Sequence, residues 1–158
     1  MGYSTVKIKL QETGKFNSQN LVLGNKFNIV SGTSNSTVHG IINSIFVVIT
    51  SPTIKLDIDL LFFNSPMQTI TENGQPLILT ENDATNCFGK LRIESNGDMA
   101  DDYLNPIGGY HFAHMYNMNL PYYGKTICGV AIYQDIYSNT LDNNIILTVN
   151  HDFRGNIL

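Results

Sequence analysis

Short apolar runs of strand length, each stopped by a cluster of Gly, Asn, Ser or Pro, recur along the whole chain. This punctuation limits the fold more than any other feature. A helix that buries one face needs apolar residues three and four apart over about ten residues, and such stretches are nearly missing here. Thr5 to Leu10 alternates, with Val6, Ile8 and Leu10 on one face. Leu21 to Leu23, a turn signal at Gly24-Asn25, and Phe27 to Val30 read together as a hairpin. Gly40 to Thr50 is a long β-branched run ended by Ser51-Pro52, and Ile54 to Phe63 follows it. TICGVAIYQD, from Thr126 to Asp135, and NIILTV, from Asn144 to Val149, complete the expected strands.

One short helix is expected near residues 80–88. Thr80 can cap its start, Asp83 can return the bond as in a capping box, and Gly89 stops it. The pattern as a whole predicts an all-β fold, a two-sheet antiparallel sandwich of jelly-roll type. The 158 residues show no internal repeat and no linker, so residues 1–158 are read as one domain. Residues 1–15 are a candidate extended arm.

The stretch IKLDIDLLFF, Ile54 to Phe63, sets two aspartates inside an apolar run. Side chains alternate along a strand, so Ile54, Leu56, Ile58, Leu60 and Phe62 share one face. Lys55, Asp57 and Asp59 share the other, which turns apolar at Leu61 and Phe63. A buried Leu or Phe stabilises by about 1.5–3 kcal/mol, whereas an unpaired buried carboxylate costs several kcal/mol. The aspartates are therefore expected on a solvated outer face. Phe63 needs a second surface over it, from another part of the chain or from a neighbouring subunit.

Charged residues make up 14% of the chain, about half the usual share, and the net charge is -4. The nine Lys and Arg are scattered singly and form no basic stripe, so a nucleic-acid partner is not expected. No apolar run approaches the roughly 18 residues of a membrane-spanning helix, so no membrane partner is expected either. MGYSTVKIKL lacks the apolar core of a signal peptide. Cys87 and Cys128 read as two small buried thiols.

None of the constellations that could carry chemistry has both the spacing and the surroundings it needs. Asp57 and Asp59 would lie about 7 Å apart on one strand face, but Lys55 beside them points to surface charge pairing. The turn from Glu94 to Asp102 is acidic but lacks the ordered ligand spacing of a calcium loop. His111 and His114 lie in an alternating context, where they face opposite ways and cannot share a metal ion. No G-x-S-x-G elbow and no phosphate-cradling glycine loop occurs. No catalytic residue, metal or cofactor is expected, and the protein is not expected to be an enzyme.

YHFAHMYNMNLPYY, from Tyr110 to Tyr123, combines Tyr, His and Met with few charges, a composition shared by interface centres and by sandwich cores. The candidate interface residues are Phe63, Tyr110, Tyr116, Tyr122 and Tyr123, with the last two, after Leu120-Pro121, the best surface candidates.

KLDIDLLFFNSP (55–66) followed by TENDA (80–84) resembles a family of small all-β virion structural proteins of tailed bacteriophages, of the head auxiliary type. In that family a "LDLLFFDS"-type strand precedes an acidic "D-N-A"-type helix start. KTICGVAIYQD and NNIILTVNHDF are similar to its closing pair of strands. The similarity covers residues 40–153 and includes no catalytic signature. It implies a non-enzymatic auxiliary protein, made in the host bacterial cytoplasm, that decorates or cements the capsid exterior. The implied partners are the major capsid protein and further copies of the chain itself, as a homotrimer. A neck, tail or fibre component, or a carbohydrate-binding sandwich using Tyr116, Tyr122 and Tyr123 as a stacking platform, would use the same fold.

Overall fold

The computed structural model describes residues 2–16, 21–31, 37–49, 57–68, 71–72, 74–94, 111–115, 117–134 and 139–155. In chain order the elements are β1 (Gly2–Phe16), β2 (Leu21–Ser31), β3 (Val38–Ile49), β4 (Asp57–Phe63) and α1 (Glu81–Thr85). They continue with β5 (Cys87–Glu94), β6 (His111–Met115), β7 (Leu120–Gly124), β8 (Thr126–Tyr133) and β9 (Asn139–Gly155). Two antiparallel sheets result, β1-β9-β3-β6 and β2-β8-β4-β5. β7 also pairs with β3, taking the stretch of its edge that β6 leaves free.

The pairing is nested. β1 pairs with β9, β2 with β8, β3 with β6 and β7, and β4 with β5. The chain is thus one long hairpin, closed between β4 and β5 and rolled so that its arms divide between two sheets. This order is that of a jelly roll, in agreement with the fold class read from the sequence.

Alternation fills the space between the sheets. Ile58, Leu60 and Phe62 of β4 face Ile145, Leu147 and Val149 of β9, Ile8 and Leu10 of β1, and Ile42, Ile45 and Val47 of β3 across one buried cluster. Ile42 and Ile45 are three apart, a spacing that would put them on opposite faces of a regular strand. A bulge between Ile42 and Ser44 resets the register and keeps both inside. β8 is buried on both faces from Ile127 to Tyr133, because it lies inside its sheet and its outer side is covered too.

That cover comes from residues 64–68, 71–72 and 74–80, between β4 and α1. Met67, Leu77 and Leu79 pack on Val22, Phe63, Cys128 and Val130, forming a second apolar layer outside the sheet. Its backbone is pinned to the edge of β2, where Val22 N donates to Gln75 O at 2.9 Å and Gly74 N to Val22 O at 2.7 Å. Gly74 has φ of 77°, the left-handed region that favours glycine, and so turns the chain back over the sheet.

The expected cap is present and does more than start a helix. Thr80 accepts from Asp83 N at 3.0 Å, and the buried Asp83 carboxylate accepts from Thr80 N at 3.3 Å. It also accepts from Gln68 N at 2.7 Å, so one carboxylate ties both ends of the covering segment to α1. Asp83→Ala should cost about 2 kcal/mol, more than Thr80→Ala at about 1 kcal/mol, as read from urea denaturation midpoints.

Four expectations are corrected. Leu21 to Val30 is no hairpin: β2 pairs with β8 on both sides of Gly24-Asn25, and the turn signal marks a register shift between Leu23 and Phe27. The amino-terminal residues are no free arm, since Gly2 to Phe16 pair continuously with β9. α1 stops at Thr85, because Cys87 to Glu94 have a strand partner in β4 and become β5. The aspartate face is not solvated at Asp59, as described next. Among the described residues, no helix is long and apolar enough to cross a membrane.

Candidate functional site

Asp59 faces away from the core, as alternation requires, yet it is only 3% exposed. Its cross-strand neighbour on β5 is Arg92, whose Nη1 lies 3.8 Å from Oδ1, and Lys90 Nζ lies 3.5 Å from Oδ2. Gln134 Nε2 donates to Oδ2 at 3.0 Å. Two long cationic stems and an amide therefore roof the carboxylate while their charged ends stay in water. This is an ion-paired cover and not an open acid/base pair; the side chain of Asp57 lies outside the described residues.

The two cysteines are free and flank Phe63 in register, Cys87 on β5 and Cys128 on β8. Strands two apart lie about 10 Å from each other, beyond the roughly 7 Å a disulfide can span. Burial pushes the Cys128 thiol up from its ordinary value. Cys87 opens β5 instead of closing a helix. His111 and His114 do lie on one strand, β6, three residues apart and so at positions on opposite faces. Among the described residues, no group of His, Cys, Asp and Glu could hold a metal ion.

The aromatic segment divides by parity. Tyr122 and Tyr123 are successive residues of β7 and point to opposite faces of the sheet. Tyr122 is 4% exposed and joins the core, so it is withdrawn as an interface residue. Phe63, fully buried under the segment from its own chain, is withdrawn for the same reason. Tyr123 is 67% exposed, its ring 6.4 Å from that of His39 across the β3–β7 pair. Tyr110 and Tyr116 lie outside the described residues.

Tyr122 reaches across Gly40 of β3 to His151 of β9, where its hydroxyl lies 2.8 Å from Nδ1. His151 is 1% exposed, and its Nε2 has no hydrogen-bond partner among the described residues. The main-chain oxygen of Asp152 lies 3.5 Å from the same hydroxyl. Beside this pair a cleft of about 230 Å³ is lined by His39, Gly40, Ile41, Pro121, Tyr122 and Asp152. Nothing in the sequence announces this contact, since its partners are 29 residues apart and lie on two different strands.

Burial, helped by the Asp152 charge, pushes Tyr122 up to about 12 from 10.0. The folded state thus favours the neutral phenol, while the unfolded chain ionises from pH 10. The stability it contributes is complete below pH 10 and is lost as pH rises toward 12, at about 1.4 kcal/mol per pH unit at most. Comparing urea denaturation of the wild type and Tyr122→Phe at pH 9 and pH 11 isolates the effect: only the wild type should show this increment of loss.

The outer face of the β1-β9-β3 sheet is polar but carries its own hydrogen bonds. Thr5 Oγ1 donates to Asn150 Oδ1 at 2.9 Å, Asn150 Nδ2 to Ser44 Oγ at 2.9 Å, and Asn43 Nδ2 to Asp152 Oδ2 at 3.2 Å. Tyr123, Pro121 and His39 stand exposed at the β7 end of this face. Ile78, the other large exposed hydrophobic among the described residues, sits on the segment covering the opposite sheet.

No family model matches the chain, and no curated protein matches it. Among solved structures it is similar to a chain of the T13 IBDV viral particle, at 13% identity, over 98% of this chain and 40% of that one. The chain thus spans 40% of the length of its neighbour, and a TM-score of 0.19 is too low to group the two folds.

Proposed function

We propose that this protein is a non-enzymatic structural component of a tailed-phage virion, an auxiliary protein that decorates or cements the capsid exterior. The observation that carries the reading is where the family-like residues sit. Leu60 and Phe62 fill the core, Phe63 anchors the covering segment, and Thr80 and Asp83 fasten that segment down. The resemblance is therefore built of residues that make a rigid sandwich, and it includes no reactive group. The jelly-roll order supports the reading without deciding it, since coat proteins, lectins and cupins share this architecture.

A sandwich whose polar outer face carries its own hydrogen bonds suits a subunit that adds buried interface at junctions of a shell. The surface bearing Tyr123, Pro121 and His39 supplies an exposed aromatic anchor for the major capsid protein or for further copies in a trimer. Of the three tyrosines of the sugar-platform alternative, Tyr122 is turned into the core, Tyr123 faces outward, and Tyr116 lies outside the described residues.

Cosedimentation with purified heads that lack the protein tests the proposal. Saturable binding at a fixed ratio to the shell protein is expected, with a higher temperature of DNA release. Tyr123→Ser should weaken binding at least about tenfold while leaving stability within about 0.5 kcal/mol. Heads that bind nothing would overturn the reading.

A further inference from the structure

β7 is a weakly held strand. It has five residues, pairs with β3 and with no other strand among the described residues, and contains Pro121, which brings no N–H to the ladder. Besides that ladder and the packing of Leu120 on the core, it is held by Tyr122, which passes over Gly40 and ends on the buried imidazole of His151 two strands away. We propose that the Tyr122–His151 pair is an acid-sensitive latch that keeps β7 on the sheet and releases it when the imidazole takes up a proton.

Either neutral tautomer keeps the 2.8 Å bond. With the ring proton on Nε2, the Tyr122 hydroxyl donates to Nδ1; with it on Nδ1, the ring donates and the hydroxyl turns toward Asp152 O. A second proton ends this flexibility. Both nitrogens then donate: Nδ1 can still reach the Tyr122 hydroxyl, but Nε2 has no acceptor among the described residues, and the ring carries a full charge where it is 1% exposed.

The surroundings do not welcome the charge. The neighbours of His151 in register are Ser4 on β1 and Ile42 on β3, with the Phe153 ring at 6.2 Å and Tyr122 edge-on at 5.9 Å. Tyr122 stays neutral far above this range. The charge that acts on the imidazole is the Asp152 carboxylate, which favours protonation. Burial opposes it more strongly and holds His151 below its ordinary 6.5.

Releasing β7 lets water reach His151 at the cost of one short edge pairing, whereas unfolding the chain would give up the whole core. The released form takes up its proton near 6.5 and the latched form lower. Falling pH therefore favours release, by about tenfold per pH unit below 6.5 until the latched form titrates too.

Hydrogen exchange of the full chain between pH 7.5 and 4.5, corrected for intrinsic rates, tests this. Protection of the amides of Leu120 and Tyr122 to Gly124 should fall below pH 6.5, by at most about tenfold per pH unit and levelling once the latched form titrates, while β8 keeps its protection. His151→Asn, whose amide can take the place of Nδ1 without titrating, should show no such fall. Equal losses in β7 and β8, or a fall that persists in His151→Asn, would overturn the latch. Should the variant not fold, an NMR titration of wild-type His151 decides. Protonation in step with β7 exchange supports the latch, and protonation with β7 still protected refutes it.

Discussion

Phe63→Ala should lower the stability of the isolated subunit by about 3–5 kcal/mol. The ring has no exposure, and its cluster combines Val22, Cys128 and Val130 of the sheet with Met67, Leu77 and Leu79 of the covering segment. All of these belong to one chain, so the loss is intramolecular. The urea midpoint should fall without depending on protein concentration, and the slope of the transition should stay unchanged. Had a neighbouring subunit supplied the cover, the substitution would shift self-association and leave the monomer nearly as stable as before. The same experiment therefore measures the stability of the second apolar layer and decides between the two sources of cover that the sequence left open.

Gly40→Ala should cost about 3 kcal/mol, close to the upper end of ordinary overpacking. A methyl group there would lie 2.1 Å from the main-chain oxygen of Asp152 and 2.5 Å from the Tyr122 hydroxyl. The oxygen belongs to β9, which is paired on both sides and has no room to retreat. Tyr122 would have to leave His151, which strands a buried imidazole. Gly89→Ala is the control. Its methyl would meet Leu120 Cδ2 at 2.8 Å, the far end of a side chain that can change rotamer, so the cost should stay under about 1 kcal/mol. Differential scanning calorimetry on the two variants reads both values. Equal effects would mean that Tyr122 does not lie across Gly40 as described.

Strand positions were legible wherever alternation and burial agree. Ile58, Leu60 and Phe62 read as a core face and are one. Thr80 and Asp83 read as a capping box and form it, because a cap is a local bargain settled within four residues. Misreadings arose where a local signal met a distant partner. Gly24-Asn25 is good turn chemistry, but β8 offers β2 a pairing on both sides, and the turn collapses into a bulge. Gly89 ends helices in general, but here β4 recruits the residues around it into β5.

The site residues were less legible still. Alternation gave the direction of Asp59 correctly, but its cover comes from Lys90, Arg92 and Gln134, up to 75 residues away. Composition marked the segment around Tyr122 and Tyr123 as rich in interface-type residues. Only the parity of β7 decides that one of them enters the core and the other meets the solvent. His39, Gly40 and His151 meet there through strand order alone, which no spacing in the sequence encodes.

The measurement that tests the proposed virion role most directly is quantitative mass spectrometry of purified phage particles for the copy number of this chain. A copy number equal to that of the major shell protein, or a simple fraction of it, is the expected result for a protein spread over the head lattice. A few copies per particle would contradict decoration and move the protein to the neck or tail, and its complete absence from the particle would contradict a structural role in the virion.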